Sequence, residues 1–111
     1  MIENVGIDIV ENKRIENSIS NNFLKMVLTD YELEQYNLKK GKKRLEYLCG
    51  RFASKEAIIK ALSDYENPHF KEIEIKNEKN GKPTVQFKNY KILLSISHEK
   101  NYTIAYAILL R

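Results

Sequence analysis

The pattern of apolar and polar positions predicts β-strands near both ends of the chain. Residues 2–10 alternate and are rich in Ile and Val, and two more apolar runs follow later, KILLSISH at 91–98 and YTIAYAILL at 102–110. Short runs of this kind, rich in β-branched side chains, are typical of half-buried strands. The short connection between the last two runs favours an antiparallel hairpin.

A further hairpin is predicted between these outer strands. Residues 72–77 alternate, and Asn80-Gly81 is a dipeptide typical of tight turns. Pro83 then starts a predicted strand that extends through Phe87. Proline is tolerated at the first position of a strand.

The helical patterns lie between the first strand and residue 62. Residues 11–20 are polar except for a few positions, and Ile15 and Ile19 predict a short helix with one narrow apolar face. Residues 29–32, TDYE, have the pattern of a capping box and predict a helix through about Leu38. The basic run KKGKKR at 39–44 contains a glycine and is expected to be a solvated loop.

A long amphipathic helix is predicted for residues 44–62, and Glu56 interrupts its apolar stripe. The stripe consists of Leu45, Leu48, Cys49, Phe52 and Ile59, and it is widened by Ala57, Ile58, Ala61 and Leu62. A carboxylate that leaves water needs a partner. Lys60, one turn later, can supply one as a boundary ion pair, and the helix pattern alone favours this structural explanation over a functional one.

The order of these elements predicts an α+β fold in which an antiparallel sheet packs on one long helix. The 111 residues are expected to form a single domain, residues 1–111. A composition of 42% hydrophobic and 31% charged residues is typical of a globular protein and excludes a disordered one.

Charge and cysteine content narrow the partners and the compartment. A net charge of +4 indicates an anionic partner, without choosing among nucleic acid, a phosphorylated cofactor and an acidic protein. The single cysteine, Cys49, excludes a disulfide framework, is expected to be inert in the apolar stripe, and fits the reducing cytoplasm. No apolar run approaches the ~20 residues of a membrane helix, and no signal peptide is expected.

Asp8 is a second acidic residue in an unexpected position. It lies in an Ile- and Val-rich strand, where aspartate is rare, and Gly6 leaves the same strand face open beside it. Capping of the helix that begins near Glu11 explains Asp8 as well as binding of a cation does. Together with Glu56, however, Asp8 supplies two carboxylates that suit Mg²⁺ bound jointly with a phosphate. His98, at the end of a strand, is by itself more typical of a structural residue.

Five short motifs follow one another along nearly the whole chain. They are GIDIVENKRI at 6–15, LTDYE at 28–32, RFASKEAIIKAL at 51–62, NGKP at 80–83 and SISHEKNYTIAYA at 95–107. Each is weak alone, but in this order they resemble the holo-acyl-carrier-protein synthases, the small 4′-phosphopantetheinyl transferases. The resemblance implies transfer of 4′-phosphopantetheine from coenzyme A to a serine of an apo acyl carrier protein in fatty acid and lipid biosynthesis. The other product is adenosine 3′,5′-bisphosphate.

The resemblance also implies roles for individual residues. Asp8 and Glu56 would bind Mg²⁺ with the pyrophosphate of coenzyme A, and Lys60, the third catalytic residue, would reach the phosphates. The base that deprotonates the carrier serine stays open between Glu56 and a water associated with the metal. The residues that resemble positions near the nucleotide and its 3′-phosphate are Lys42, Lys43, Arg51, Ser97 and His98.

The same resemblance implies two protein partners. Arg14 resembles a position on the face that meets the acidic carrier protein, and Phe23, Lys25 and Met26 could extend that face. Family members of this length form homotrimers whose active sites are shared between neighbouring subunits. One departure is the segment 63–65, Ser-Asp-Tyr, where the family usually has a glycine-rich turn, which leaves open how the backbone approaches coenzyme A there.

The alternative from another class is a small basic α+β module that binds RNA or protein without catalysis. The net charge and the run at 39–44 favour it, and Tyr102 and Tyr106 share one strand face. Base stacking, however, requires exposed aromatic pairs on adjacent strands, which the sequence does not indicate. We therefore expect neither a nucleic acid nor a membrane as partner.

Overall fold

The computed structural model describes all 111 residues and confirms the α+β class. One strand is followed by four helices and then by four strands. The elements are β1 (Ile2–Glu11), α1 (Asn12–Ser18), α2 (Asn21–Val27), α3 (Asp30–Leu38), α4 (Gly41–Leu62), a 3₁₀ turn (Phe70–Glu72), β2 (Glu74–Asn77), β3 (Pro83–Gln86), β4 (Lys91–His98) and β5 (Tyr102–Leu110).

The strands form two antiparallel sheets. The larger has the order β1-β5-β4, so the first strand of the chain pairs with the last. In its register Asp8 lies opposite Ala105, and Ala105 lies opposite Ile96. The smaller sheet is the β2–β3 hairpin. Its loop spans residues 78–82, longer than a two-residue turn, and Gly81 within it has a positive φ of 87° that favours glycine.

Helix α4 is buried on two sides, which explains its long run of buried residues. One side packs on the three-stranded sheet, and the other packs on α1, α2 and α3. Its fully buried apolar residues are Leu48, Cys49, Ala53, Ala57, Ile58, Ala61 and Leu62. Burial raises the pKa of the Cys49 thiol to about 11, which keeps it protonated at neutral pH and agrees with an inert role.

Gly6 determines how closely α4 approaches β1. A Cβ atom at Gly6 would lie 2.0 Å from the carbonyl oxygen of Ala57 and 2.8 Å from the amide nitrogen of Ala61. Any side chain there would push the helix off the strand. The open face predicted beside Asp8 is therefore filled by the backbone of α4.

Two predicted helix boundaries were wrong, and one helix was not predicted. Helix α1 ends at Ser18, so Ile19 lies outside it and is 39% exposed. A separate helix, α2, follows, and its N-cap Ser20 accepts a hydrogen bond from the Phe23 amide.

Helix α4 begins at Gly41, earlier than predicted, and four of the six residues of the expected basic loop are helical. The Arg44 side chain donates hydrogen bonds to the carbonyl oxygens of Lys39 and Asn37, which closes the corner between α3 and α4. Lysine and arginine are also good helix formers, so a basic run does not by itself indicate a loop.

The side of the three-stranded sheet that faces away from α4 is uncovered and apolar. We call it the outer sheet face. Its large apolar residues are between 39% and 59% exposed. They are Val5, Ile7, Ile9, Leu93, Tyr102, Ile104 and Tyr106. No helix of the protein combines the length and the apolar character that crossing a membrane requires.

Candidate active site

Where β1 crosses α4, Asp8 and Glu56 lie close enough for the charge of one carboxylate to act on the other. The Lys60 ammonium donates to the carbonyl oxygen of Ile7 at 2.9 Å and lies 3.3 Å from Oδ1 of Asp8. Glu11 occupies the N-cap position of α1, and no side chain caps that helix, so the capping explanation for Asp8 was wrong. Asp8 instead faces the last two turns of the long helix.

Glu56 makes no hydrogen bond and no ion pair within the chain. The expected Glu56–Lys60 pair does not form, because Lys60 reaches across to Asp8 instead. Burial raises the pKa of the Glu56 carboxyl, the charge of Asp8 raises it further, and Lys60 lowers it. A half-buried carboxylate without a partner beside another carboxylate is a costly arrangement for a purely structural residue.

The two carboxylates fit a hard cation. Carboxylate oxygens are the donors that Mg²⁺ prefers, and this ion usually retains water and shares its shell with a substrate phosphate. No cluster of three or more His, Cys, Asp or Glu side chains is present that could enclose an ion with protein ligands alone. Asp8 and Glu56 are thus suited to hold Mg²⁺ together with a phosphorylated ligand.

The raised pKa of Glu56 leads to a prediction about stability. The pKa of a glutamate carboxyl in the unfolded chain is ~4.3. When the pKa is higher in the folded state, ionisation of the group lowers the free energy of unfolding at pH values above the folded pKa, and this loss is absent at pH values below the unfolded pKa. Glu56→Gln is therefore expected to raise the thermal midpoint by about 1–4 °C at pH 7, with chelator present, and to give no gain near pH 4. Thermal melts at both pH values check this. An equal gain at both would show that ionisation of Glu56 is not the cause.

A cavity of about 800 Å³ lies on the opposite flank of α4. It is enclosed by α3, α4, the β2–β3 hairpin and the edge strand β4, and its charged lining is mainly basic. The basic residues that line it are Lys39, Lys43, Arg51, Lys82 and His98, against the single acid Glu46. A concave site with this charge suits an anionic ligand.

Arg51 is the most constrained residue of this cavity. Its side chain is buried, and its Nη2 donates to the carbonyl oxygen of Ile75 at 3.0 Å and to Oδ1 of Asn77 at 2.6 Å. The guanidinium group lies over the Tyr47 ring, 4.2 Å from its centroid. Burial raises the pKa of Tyr47 to about 12, so its ring stays neutral beneath the cation.

The structure separates the predicted ligand-binding residues into groups. Lys43, Arg51 and His98 line the cavity, whereas Lys42 is exposed outside it. Ser97 pairs with Ile104 and lies on the outer sheet face. Lys39, Tyr47 and Lys82 line the cavity but were not predicted. Of these, Lys82 belongs to the NGKP motif and Lys39 to the basic run at 39–44, whereas Tyr47 carried no signal.

The carboxylate pair and the cavity are not one pocket within a single chain. Asp8, Glu56 and Lys60 lie on the β1 flank of α4, at the free edge of the sheet. The cavity lies on the β4 flank, where Gly50 of α4 abuts the His98 ring. Helix α4 stands between the two groups.

The predicted docking residues lie on α1 and α2. Arg14 is exposed, and its side chain makes no hydrogen bond or ion pair. Lys25 is exposed and Met26 is 58% exposed, so both are accessible to a partner. Phe23 is half-buried and stacks on Phe52 with a centroid distance of 5.9 Å, so its ring is largely engaged in the fold.

Comparison with known proteins identifies the family to which the chain belongs. The sequence model of the 4′-phosphopantetheinyl transferase superfamily matches residues 4–107, and the chain belongs to this family. The holo-[acyl-carrier-protein] synthase of Mycoplasma mycoides subsp. mycoides is 47% identical over 109 residues, which cover 97% of this chain and 94% of the relative. The holo-[acyl-carrier-protein] synthase of Clostridium tetani is 42% identical over 123 residues, and the alignment covers 98% of this chain and 96% of the relative.

A solved structure is similar over almost the entire chain. The holo-(acyl-carrier-protein) synthase of Bacillus anthracis, crystallised in complex with CoA (3′,5′-ADP), superposes with a TM-score of 0.89 at 36% identity. The superposition covers 98% of this chain and 96% of the other.

Proposed function

We propose that this protein is a Mg²⁺-dependent holo-acyl-carrier-protein synthase. It transfers 4′-phosphopantetheine from coenzyme A to a serine of an apo acyl carrier protein, releases adenosine 3′,5′-bisphosphate, and so supplies fatty acid and lipid biosynthesis in the cytoplasm. The observation that carries the proposal is the meeting of Asp8 and Glu56 at the β1–α4 crossing, with no structural partner for Glu56. The similarity to synthases over the full chain supports it.

The carboxylate pair and Lys60 form the reacting end of the site. Bound by Asp8 and Glu56, Mg²⁺ would supply positive charge beside the pyrophosphate. The serine hydroxyl gives its proton to Glu56 or to a water at the site, and its oxygen bonds to the phosphorus that carries pantetheine. The pyrophosphate bridge breaks, and the bridging oxygen leaves with the adenosine bisphosphate. The Lys60 ammonium, 56% exposed on its side chain, is free to turn from Asp8 toward the phosphates and offset their charge.

The basic cavity holds the nucleotide end of coenzyme A. Lys43, Arg51 and His98 surround a volume suited to a small ligand, and the charge of Lys43 and Arg51 attracts the 3′-phosphate. Lys82 adds a cation from the hairpin loop.

A homotrimer would bring the two ends of this site together. The outer sheet face exposes seven large apolar side chains, more than is usual for a monomer. The cavity and the carboxylate pair lie on opposite flanks of α4, so contact between neighbouring copies can join the cavity of one with the carboxylates of the next.

Incubation with coenzyme A, Mg²⁺ and an apo acyl carrier protein tests the proposed function. We expect the carrier protein to gain ~340 Da, the mass of phosphopantetheine attached as a phosphodiester. Intact-protein mass spectrometry measures this gain, and a carrier protein whose acceptor serine is replaced by alanine is the control. No gain with several apo carrier proteins would refute the function.

Arg14 provides a separate test of carrier docking. Arg14 is exposed without a partner on α1, and an arginine can bind a carboxylate of an acidic protein with two hydrogen bonds. Arg14→Glu is expected to raise KM for the carrier protein by about tenfold, equivalent to ~1.4 kcal/mol, and to leave KM for coenzyme A nearly unchanged. The wild-type rate at low carrier concentration should also fall as salt rises from ~50 to ~300 mM.

Steady-state kinetics with each substrate varied in turn measure this effect. Lys13→Glu is a matched control, because Lys13 is a neighbouring exposed cation that already pairs with Glu16 on the same helix. An equal rise in KM for the carrier protein and for coenzyme A in Arg14→Glu would place Arg14 outside the docking face.

A further inference from the structure

Glu32 is a buried carboxylate that the proposed chemistry does not use. It is 0% exposed and closes the capping box of α3 by accepting a hydrogen bond from the Thr29 amide. Its Oε2 accepts a hydrogen bond from the Ile75 amide of β2 at 2.9 Å. Its two oxygens also face two cations of α4, Lys55 at 2.5 Å and Arg51 at 4.0 Å.

Lys55 is fully committed to this network. Its ammonium is 0% exposed and donates to Glu32 and to the carbonyl oxygens of Val27 and Phe70. Burial lowers the pKa of Lys55, and the charge of Glu32 opposes that change. All three donor positions of the ammonium are used inside the fold, so Lys55 has none left for a ligand.

Arg51, in contrast, keeps donors free at the cavity. Nη2 of Arg51 donates hydrogen bonds to Ile75 and Asn77 of β2. Nε of Arg51 is buried and makes no hydrogen bond, and it lies 4.0 Å from Oε2 of Glu32. Nη1 makes no hydrogen bond in the chain, and Arg51 lines the cavity. The fully buried part of the cluster holds two cations against one carboxylate, and the partly exposed Glu74 adds negative charge near Lys55. The positive charge left without a partner therefore lies on Arg51, which borders the cavity.

We propose that Glu32 is a positioning residue for the cofactor, which holds the Arg51 guanidinium with its free donors toward the cavity and a phosphate group bound there. Glu32 does this from two directions, by attracting Arg51 directly and by fixing β2, whose Ile75 and Asn77 accept from Nη2. Lys55 balances the remaining charge of Glu32. This role rests on the proposed function, since the phosphate is that of coenzyme A.

Glu32→Gln tests the role, because glutamine keeps the size of the side chain and loses its charge. We expect the affinity for coenzyme A, measured by isothermal titration, to fall by about tenfold, with KM for the carrier protein nearly unchanged. Arg51→Met should show a similar loss. Adding Glu32→Gln to Arg51→Met should cost little more, because a residue that acts through Arg51 has nothing left to position.

Two further variants separate positioning from stability. Leu62→Ala removes a buried side chain at the far end of α4 and should lower the thermal midpoint without weakening coenzyme A binding. If Glu32→Gln leaves unpaired buried cations and does not fold, Glu32→Gln with Lys55→Met removes the unmatched cation, and we expect the same binding defect.

Three outcomes would overturn the role of Glu32. They are wild-type affinity in either Glu32 variant, an equal further loss in the Arg51→Met background, and a loss in Leu62→Ala as large as in Glu32→Gln. The parent protein distinguishes this failure from that of the proposed function. If the parent binds coenzyme A and modifies the carrier protein, the function stands whatever the Glu32 variants show.

Discussion

Asp8→Ala and Glu56→Ala are each expected to lower the rate of phosphopantetheine transfer by about 10³-fold or more while the fold stays intact. Both carboxylates lie at the β1–α4 crossing, and neither holds the fold together: Glu56 has no partner, and the Asp8–Lys60 contact is partly exposed. Asp8 and Glu56 are the only protein ligands proposed for Mg²⁺, so the loss of either removes half of the protein's share of the ion's ligands.

Isothermal titration of Mg²⁺ in the presence of coenzyme A measures the cause directly. Each variant should lose metal binding, while its circular dichroism spectrum and thermal midpoint stay close to those of the parent. Glu66→Ala is a suitable control, because it removes a surface carboxylate that pairs with Lys88 away from the site. If either variant binds metal and cofactor like the parent, the two-carboxylate site is wrong.

The sequence predicted the fold class because its strands and its long helix are strongly periodic. Helix α2 was missed because NNFLKMV is short and only Val27 within it is buried, so it has no clear apolar period. The pairing of β1 with β5 depends on contacts between the two ends of the chain, which local patterns do not encode.

The candidate site was predictable to the extent that its residues contradict a local pattern. Asp8 in an apolar strand and Glu56 in an apolar stripe both stand out, and the structure brings them together. Lys55 and Glu32 gave no such signal, because a lysine in a helix and a glutamate in a capping box are both ordinary. Their burial follows from the packing of α3 on α4, 23 residues apart in sequence.

Ile104→Lys is expected to convert a homotrimer into monomers and to abolish transfer with them. Ile104 lies in β5, the central strand of the outer sheet face. A trimer that covers this face would bury the charge of the lysine without a partner, which is costly. Sedimentation equilibrium at micromolar concentration measures the assembly. Ile19→Lys is a matched control, since Ile19 is also 39% exposed but lies outside the sheet. A parent protein that is monomeric under these conditions would rule out the trimer.

Mixed trimers test whether each site is shared between subunits. Asp8→Ala damages the carboxylate flank and Arg51→Met damages the cavity flank, so at limiting coenzyme A each variant alone should keep no more than about a tenth of the wild-type rate. If one site takes its carboxylates from one subunit and its cavity from the next, co-expression in equal amounts gives random trimers in which about one site in four combines two intact flanks. We therefore expect about a quarter of the wild-type rate per site. Mixed trimers, verified by mass spectrometry, that stay inactive would show that both flanks must come from the same chain, because only then does every site carry one damaged flank.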